Sequence, residues 1–151
     1  MSDFLETSVD KFIFRVATDR LYSRDGIWVL EEDGGKRVRL GVTDYEQQRN
    51  GDVAFVHLRD AGTPVAVNSE FAEVETIKTT VSLPSPVAGS IVDSNGALAL
   101  TPEVVNQEPY GKGWLVVLET RDWASDRAKL LDAATYLAVM RSQAEEELGK
   151  S

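Results

Sequence analysis

Val74-Glu75-Thr76-Ile77-Lys78-Thr79-Thr80-Val81 carries period-two apolar runs on both sides of a lysine, the pattern of two strands joined by a tight turn. Upstream, the alternation puts Phe71 and Ile77 on one face of the pleat and Ala72, Val74 and Thr76 on the other. Downstream, Val81 and Leu83 resume it until Pro84 and Pro86 stop the strand. The Lys78 ammonium is thereby expected at the tip of an exposed β-hairpin, a place suited to covalent attachment of a swinging arm. An ordinary turn lysine is the competing reading on spacing alone. Glu73 and Glu75 favour the charged amine, which argues against a Schiff-base nucleophile.

Outward from the hairpin the chain reads as mainly β. Ile27-Trp28-Val29-Leu30, a Glu32-Asp33-Gly34-Gly35 turn and Val38-Arg39-Leu40-Gly41-Val42 predict a first hairpin. Thr43-Asp44-Tyr45-Glu46 is a capping box, predicting a short helix that runs to Arg49 and stops at Asn50-Gly51. Val53 to Leu58, Val65-Ala66-Val67, Val87 to Val92 and Trp114 to Leu118 predict further strands, and Thr101-Pro102-Glu103 a second helix start. After Asp126, Leu130, Leu131, Ala134, Leu137 and Ala138 recur at helical spacing and predict a C-terminal helix packed on the β body. The expected fold is a small antiparallel β barrel or sandwich with short peripheral helices. Its expected divisions are an N-terminal arm over 1–20 with one short strand or helix, a central domain over 21–124, and the C-terminal helix over 125–151.

Composition narrows the function classes. The 151 residues, 42% of them hydrophobic, suffice for one domain with a real core. With 25 acidic and 16 basic residues the net charge is −9, which disfavours nucleic acid and anionic membranes and suits transient docking on basic partner surfaces. No cysteine is present, so disulfides, thiolate metal sites and cysteine nucleophiles are excluded. Any sulfur chemistry must arrive on a cofactor. The acidic start Met1-Ser2-Asp3 and the lack of a long apolar run fit a cytoplasmic protein.

Other candidate centres read as structural. His57 is the only histidine, expected on one strand face with Val53 and Phe55, and it lacks the partners of a metal site or triad. The Gly34-Gly35 and Gly111-Lys112-Gly113 spacings fit neither dinucleotide nor phosphate loops. Trp28, Trp114 and Trp123 read as core or helix-docking residues. No catalytic set emerges, and the chain reads as a non-catalytic subunit.

In this order, the parts resemble the H protein of the glycine cleavage system, a lipoyl-lysine carrier, from about Leu21 to Leu137. The matching stretches are Tyr22-Ser23-Arg24-Asp25 leading to Trp28-Val29, Leu40 to Tyr45, Gly51 to Val56, and Asn106 to Trp114. Val74-Glu75-Thr76-Ile77-Lys78 parallels that family's Glu-Ser-Val-Lys motif, and Gly89 follows the lysine by eleven residues. The resemblance implies lipoic acid attached covalently to Lys78 by a lipoate-protein ligase or transferase, with Glu75 and Gly89 helping such enzymes recognise the hairpin. Biotin carriers share the shape but usually flank their lysine with methionines, whereas Ile77 and Thr79 flank this one. A monomer is expected for a carrier that visits several active sites.

Two departures bear on the pathway. Family members hold the amine of a loaded arm with acids from a His-Glu-Trp motif and from an Asp four residues past the lysine; here those positions read Gly26-Ile27-Trp28 and Ser82. Charge-assisted bonds to a cation contribute about 1.5–3 kcal/mol each, so their loss should weaken retention of such a cargo, with Asp25 a partial substitute. On that ground the sequence favours an H-like lipoate-binding protein of bacterial sulfur oxidation, working with a heterodisulfide-reductase-like complex and with redox or sulfur-transfer enzymes as partners. An authentic glycine cleavage subunit, with the other subunits of that system as partners, is the alternative. An unmodified interaction module is the third reading, opposed by the joint presence of Glu75, Lys78 and Gly89.

Overall fold

Ile27-Trp28-Val29 sends successive side chains to opposite sides of a strand, and all three are fully buried, so this strand has a core on each face. The computed structural model describes residues 3–149. In chain order these form β1 (Phe4–Val9), β2 (Phe12–Ala17), β3 (Leu21–Tyr22), β4 (Ile27–Glu32), β5 (Arg37–Val42), α1 (Asp44–Asn50), β6 (Val53–Leu58), β7 (Pro64–Val65), β8 (Glu70–Thr76) and β9 (Thr80–Pro84). They continue through β10 (Gly89–Ser94), α2 (Val104–Gln107), β11 (Val116–Thr120), α3 (Trp123–Arg127) and α4 (Ala133–Gly149). Pairing is antiparallel in three sheets: β1-β2, β3-β4-β5-β11-β10-β7 and β6-β8-β9. No described helix is long and apolar enough to cross a membrane.

The six- and three-stranded sheets enclose the main core, which includes Ile27, Val29, Leu40, Phe71, Leu83, Ile91 and Leu118. Trp28 belongs to a second core, on the other side of β4, with Phe14, Val16, Tyr22, Tyr45, Tyr136 and Met140. Each fully buried side chain of this size contributes about 1.5–3 kcal/mol, so the second core is a substantial part of the fold. Tyr22 and Tyr136 stack with ring centroids 4.6 Å apart. The Trp28 indole donates to the Pro109 carbonyl at 2.9 Å and lies under the buried Arg20 guanidinium, 4.6 Å from its ring centroid. Gly41 faces Trp28 across the ladder, and a Cβ there would come within 2.3 Å of the indole.

Several expectations are corrected. The N-terminal arm, expected to hold one short strand or helix, is a full hairpin, paired from Phe4 with Ala17 to Val9 with Phe12. Its first strand escapes notice because Leu5, Thr7 and Val9 make only a weak apolar alternation. Met1, Ser2, Lys150 and Ser151, the ends of the expected arm and C-terminal segment, lie outside the described residues. Helix α3 straddles the expected division at 124/125.

The C-terminal helix starts only at Ala133, where the Asp132 carboxylate accepts from the Thr135 amide at 2.8 Å. Leu131 instead makes a β-bridge with Tyr22. The buried face of α4 is Ala133, Tyr136, Met140 and Ala144, leaving Ala134 and Ala138 exposed. Thr101 caps no helix, since its hydroxyl donates back to the Ala97 carbonyl and α2 begins at Val104. The expected strand over Val65-Ala66-Val67 is reduced to Pro64–Val65.

Two β-bulges also break the expected alternation. One lies between Val53 and Phe55, so Val53 is buried while Phe55 is 61% exposed and His57 is exposed beside it. The other lies between Glu70 and Ala72 and buries both Phe71 and Ala72. Ile77 does not share the face of Phe71; it stands beyond the end of β8 and is 74% exposed.

Gly41→Ala should lower stability by about 1–3 kcal/mol in denaturant unfolding, because the indole has nowhere to retreat. Gly96, where an added Cβ meets nothing within 4 Å, is the control, and Gly96→Ala should shift stability by no more than about 0.5 kcal/mol.

Candidate functional site

Lys78 is where the alternation places it, exposed in the turn between β8 and β9. One side chain organises that turn. The Thr76 hydroxyl accepts from the Lys78 amide at 3.2 Å and from the Thr79 amide at 3.1 Å, while the Thr76 amide donates to the Thr79 carbonyl at 2.8 Å. The Ile77 amide donates to the Asp52 carbonyl at 3.1 Å, tying the turn to the connection between α1 and β6. Among the described residues no ion pair engages the Lys78 ammonium. A fixed backbone therefore carries an available amine, the arrangement an acyl-lysine linkage requires.

Glu75 lies three residues before Lys78, with its carboxylate 3.1 Å from Nε2 of His57. Glu73 pairs across the ladder with both His57 and Ser82, and the ligating atoms of His57, Glu73 and Glu75 all lie within 4.8 Å of one another. The three are solvent-accessible, and an ion pair of this kind contributes about 0–1 kcal/mol. His57 is thus a surface residue paired with Glu75. Gly89 is buried in the six-stranded sheet, paired with Val65 and Thr120, and a Cβ there would come within 2.1 Å of the Glu119 carbonyl. Close approach of β10 and β11 accounts for the glycine.

The capping box forms by half. The Thr43 hydroxyl accepts from the Glu46 amide at 3.3 Å, and its oxygen lies 2.9 Å from the Tyr136 hydroxyl. The Glu46 carboxylate does not return to the Thr43 amide, which donates to the Gly26 carbonyl at 3.0 Å. It turns inward instead, facing Arg49 Nη1 at 3.4 Å and Asn50 Nδ2 at 3.3 Å. A Cβ on Gly26 would fall 2.1 Å from Glu46 Cγ, so the missing side chain at Gly26 is what lets Glu46 in. Burial pushes the Glu46 carboxyl above its usual range, with Arg49 and Asn50 pulling the other way. Asp25, by contrast, is exposed. Glu46 also lines a recess of about 20 Å³ together with Asn50, Thr76, Val74 and Leu83.

A larger cleft, of about 560 Å³, begins at Lys78. Gly51, Asp52 and Asn106 line its near end, and Phe12, Phe14, Tyr45 and Leu148 line it further on. Asn106 fixes the near end, donating to the Gly51 carbonyl at 3.0 Å and accepting from the Val53 amide at 2.9 Å. Arg49 pairs with Glu147 of α4, which also accepts from the Tyr45 hydroxyl at 2.8 Å. The sequence pattern did not mark Thr76, Glu46, Asn106 or the hairpin aromatics as site residues. Only Thr76 left a local signal, a hydroxyl two and three residues before turn amides.

Thr76→Val keeps the shape and removes the acceptor of two turn amides. It should lower stability by about 1 kcal/mol in thermal unfolding and slow acylation of Lys78 in a ligase assay. Glu46→Gln tests the buried carboxyl. A group whose folded pKa is raised favours the fold below its unfolded pKa and loses that contribution as pH rises through the folded value. The variant should therefore gain stability over the parent at neutral pH, and the gain should vanish as pH falls through the carboxylate range.

The comparisons with known proteins bear on this geometry. The family model described as glycine cleavage H-protein matches residues 20–143. A glycine cleavage system H protein of Thermus thermophilus is 44% identical over 129 residues, covering 85% of this chain and 98% of its own. That of Chlorobium limicola is 44% identical over 121 residues, covering 80% and 94%. The crystal structure of a glycine cleavage system H protein from Mycobacterium marinum superposes with a TM-score of 0.72 at 31% identity, covering 80% of this chain and 95% of that one. Sequence and fold together place the chain in the glycine cleavage H-protein family, non-catalytic carriers whose cofactor is lipoic acid held covalently on a lysine.

Proposed function

We propose that Lys78 carries the lipoyl group and that the chain is the H component of a glycine cleavage system, shuttling an aminomethyl group among that system's other subunits in the cytoplasm. The observation that carries the reading is the Lys78 turn itself, an exposed amine on a backbone pinned by Thr76 and by the Asp52 carbonyl. When attached, lipoate supplies a dithiolane that accepts electrons and cargo. The chain's residues supply the mount. Glu75 offers a lipoate-protein ligase or transferase an acidic mark beside the lysine, and Gly89 lets β10 and β11 approach closely.

The sequence favoured sulfur oxidation because Gly26, Ile27 and Ser82 stand where the family has acids and a histidine. Glu46 weakens that case. Its carboxylate occupies the space over Gly26, and Glu46 lines, with Thr76 of the lysine turn, a small recess whose wall is almost wholly apolar. About 20 Å³ is room for a head the size of water or ammonium, not for a ring. A loaded amine that displaces Arg49 or Asn50 from this carboxylate gains a charge-assisted hydrogen bond. Relatives at 40–44% identity, all of them glycine cleavage H proteins, favour the same pathway.

The sulfur-oxidation reading remains the second one, and one observation favours it: Ile27, fully buried, and Ser82, at an exposed strand position, are side chains without a carboxylate. Under that reading the partners are redox or sulfur-transfer enzymes.

Intact-mass measurement on protein from its own host should show one added lipoyl group, lost in Lys78→Arg with stability changed by no more than about 0.5 kcal/mol. Lipoylated protein should then support glycine-dependent CO₂ exchange when combined with the remaining subunits. Glu46→Gln should release the loaded amine about tenfold faster or more, the equivalent of one charge-assisted bond. A lipoylated chain that fails to support the exchange would shift the assignment to sulfur transfer.

A further inference from the structure

The cleft beside Lys78 is built at its far end by parts of the chain outside the matched span of 20–143: Phe12 and Phe14 of β2, and Leu148 near the end of α4. These residues lie outside the span that the family model matches. Resting on the reading that Lys78 is lipoylated, we propose that the unloaded arm lies back along α1 and seats its dithiolane ring against Phe12, Phe14 and Tyr45. The cleft is thereby a storage site for the idle cofactor.

Four observations carry this. First, the lysine stem already points that way: a Cβ on Gly51 would lie 3.4 Å from Lys78 Cε and 3.5 Å from Cδ, so the stem crosses the end of α1 where no side chain obstructs it. Second, α1 has seven residues and is about 10 Å long, a distance that a lipoyl-lysine arm starting from Gly51 can cover to reach Tyr45 in the first turn. Third, the volume of about 560 Å³ is that of a small-molecule site. Fourth, the far end suits a neutral sulfur ring. Phe14 meets Tyr45 edge to face at 5.2 Å, Phe12 stacks beside Phe14 at 6.3 Å, and sulfur packs favourably on aromatic rings.

Charge also selects the occupant. Arg49 and Glu147, which line the cleft, neutralise each other in an ion pair that clamps α4 to α1. A neutral dithiolane fits such a wall better than an ammonium, for which the Glu46 recess is the better partner. The two arm states then have separate resting places, and loading the arm moves it from one to the other. A stored ring is also shielded from small thiols in solution.

The test compares amide NMR spectra of the unmodified and lipoylated full chain, after intact mass has established the lipoyl group on Lys78. The expected result is that resonances of Phe12, Phe14 and Tyr45 shift along with those of residues 76–80. The ring disulfide should be reduced by dithiothreitol about tenfold more slowly than that of free lipoamide if the arm is docked nine-tenths of the time. Phe12→Glu should restore the free rate with lipoylation unchanged, and the spectra of the unaltered chain decide the matter even if that hairpin variant fails to fold. Shifts confined to Asp52 and residues 76–80, with ring reduction at the free rate, would overturn storage while leaving the carrier reading intact. Absence of the added mass would overturn both.

Discussion

Burial of β4 on both faces is the constraint from which the rest follows. Ile27 and Val29 fasten it to the β sandwich, and Trp28 fastens it to a second layer made by the N-terminal hairpin, α1 and α4. A strand with water on one side could do without that layer; this one would expose an indole and leave Tyr22 and Tyr136 without cover. Gly41 shows how tightly the requirement is met, because its missing side chain is the room the indole occupies.

The site depends on that second layer through a short chain of contacts. Tyr136 meets the Thr43 hydroxyl, which caps α1; α1 ends at Gly51; and the Asp52 carbonyl takes the Ile77 amide. The lysine turn is thus braced from the far side of the molecule as well as by its own hairpin. Loss of packing around Tyr136 should therefore be felt at Lys78 as well as in the stability of α4, since each link holds an element whose alternative is solvent.

The features legible in the sequence were those with strong local signals: the lysine hairpin, the first hairpin with its Asp33-Gly34-Gly35 turn, and the Thr43 cap of α1. What failed were inferences that extended a period past a bulge. One extra residue near Phe55 reverses which side chains face the core, and no residue type marks the insertion. On α4 the exposed Ala134 and Ala138 are as apolar as the buried Ala133 and Ala144, so the periodicity cannot choose the face; Tyr136 and Met140, set by contacts with residues far away in sequence, choose it. The inward turn of the Glu46 carboxylate was invisible for the same reason. Its meaning appears only when Gly26, twenty residues earlier, is seen to leave it space.

A carrier must combine a mobile reactive end with a mount that does not move, and the physical chemistry here divides the two at the Lys78 side chain. Fixing a backbone residue on docking costs about 1–2 kcal/mol in lost entropy, a penalty that would recur at every partner. The Thr76 hydroxyl and the Asp52 carbonyl hold the turn in advance, so partners meet an ordered backbone. Freedom is then confined to the arm, where it serves transfer between active sites. A small set of resting contacts, aromatic for the bare ring and carboxylate for the charged cargo, can bias that freedom without trapping it, because each contributes no more than about 3 kcal/mol.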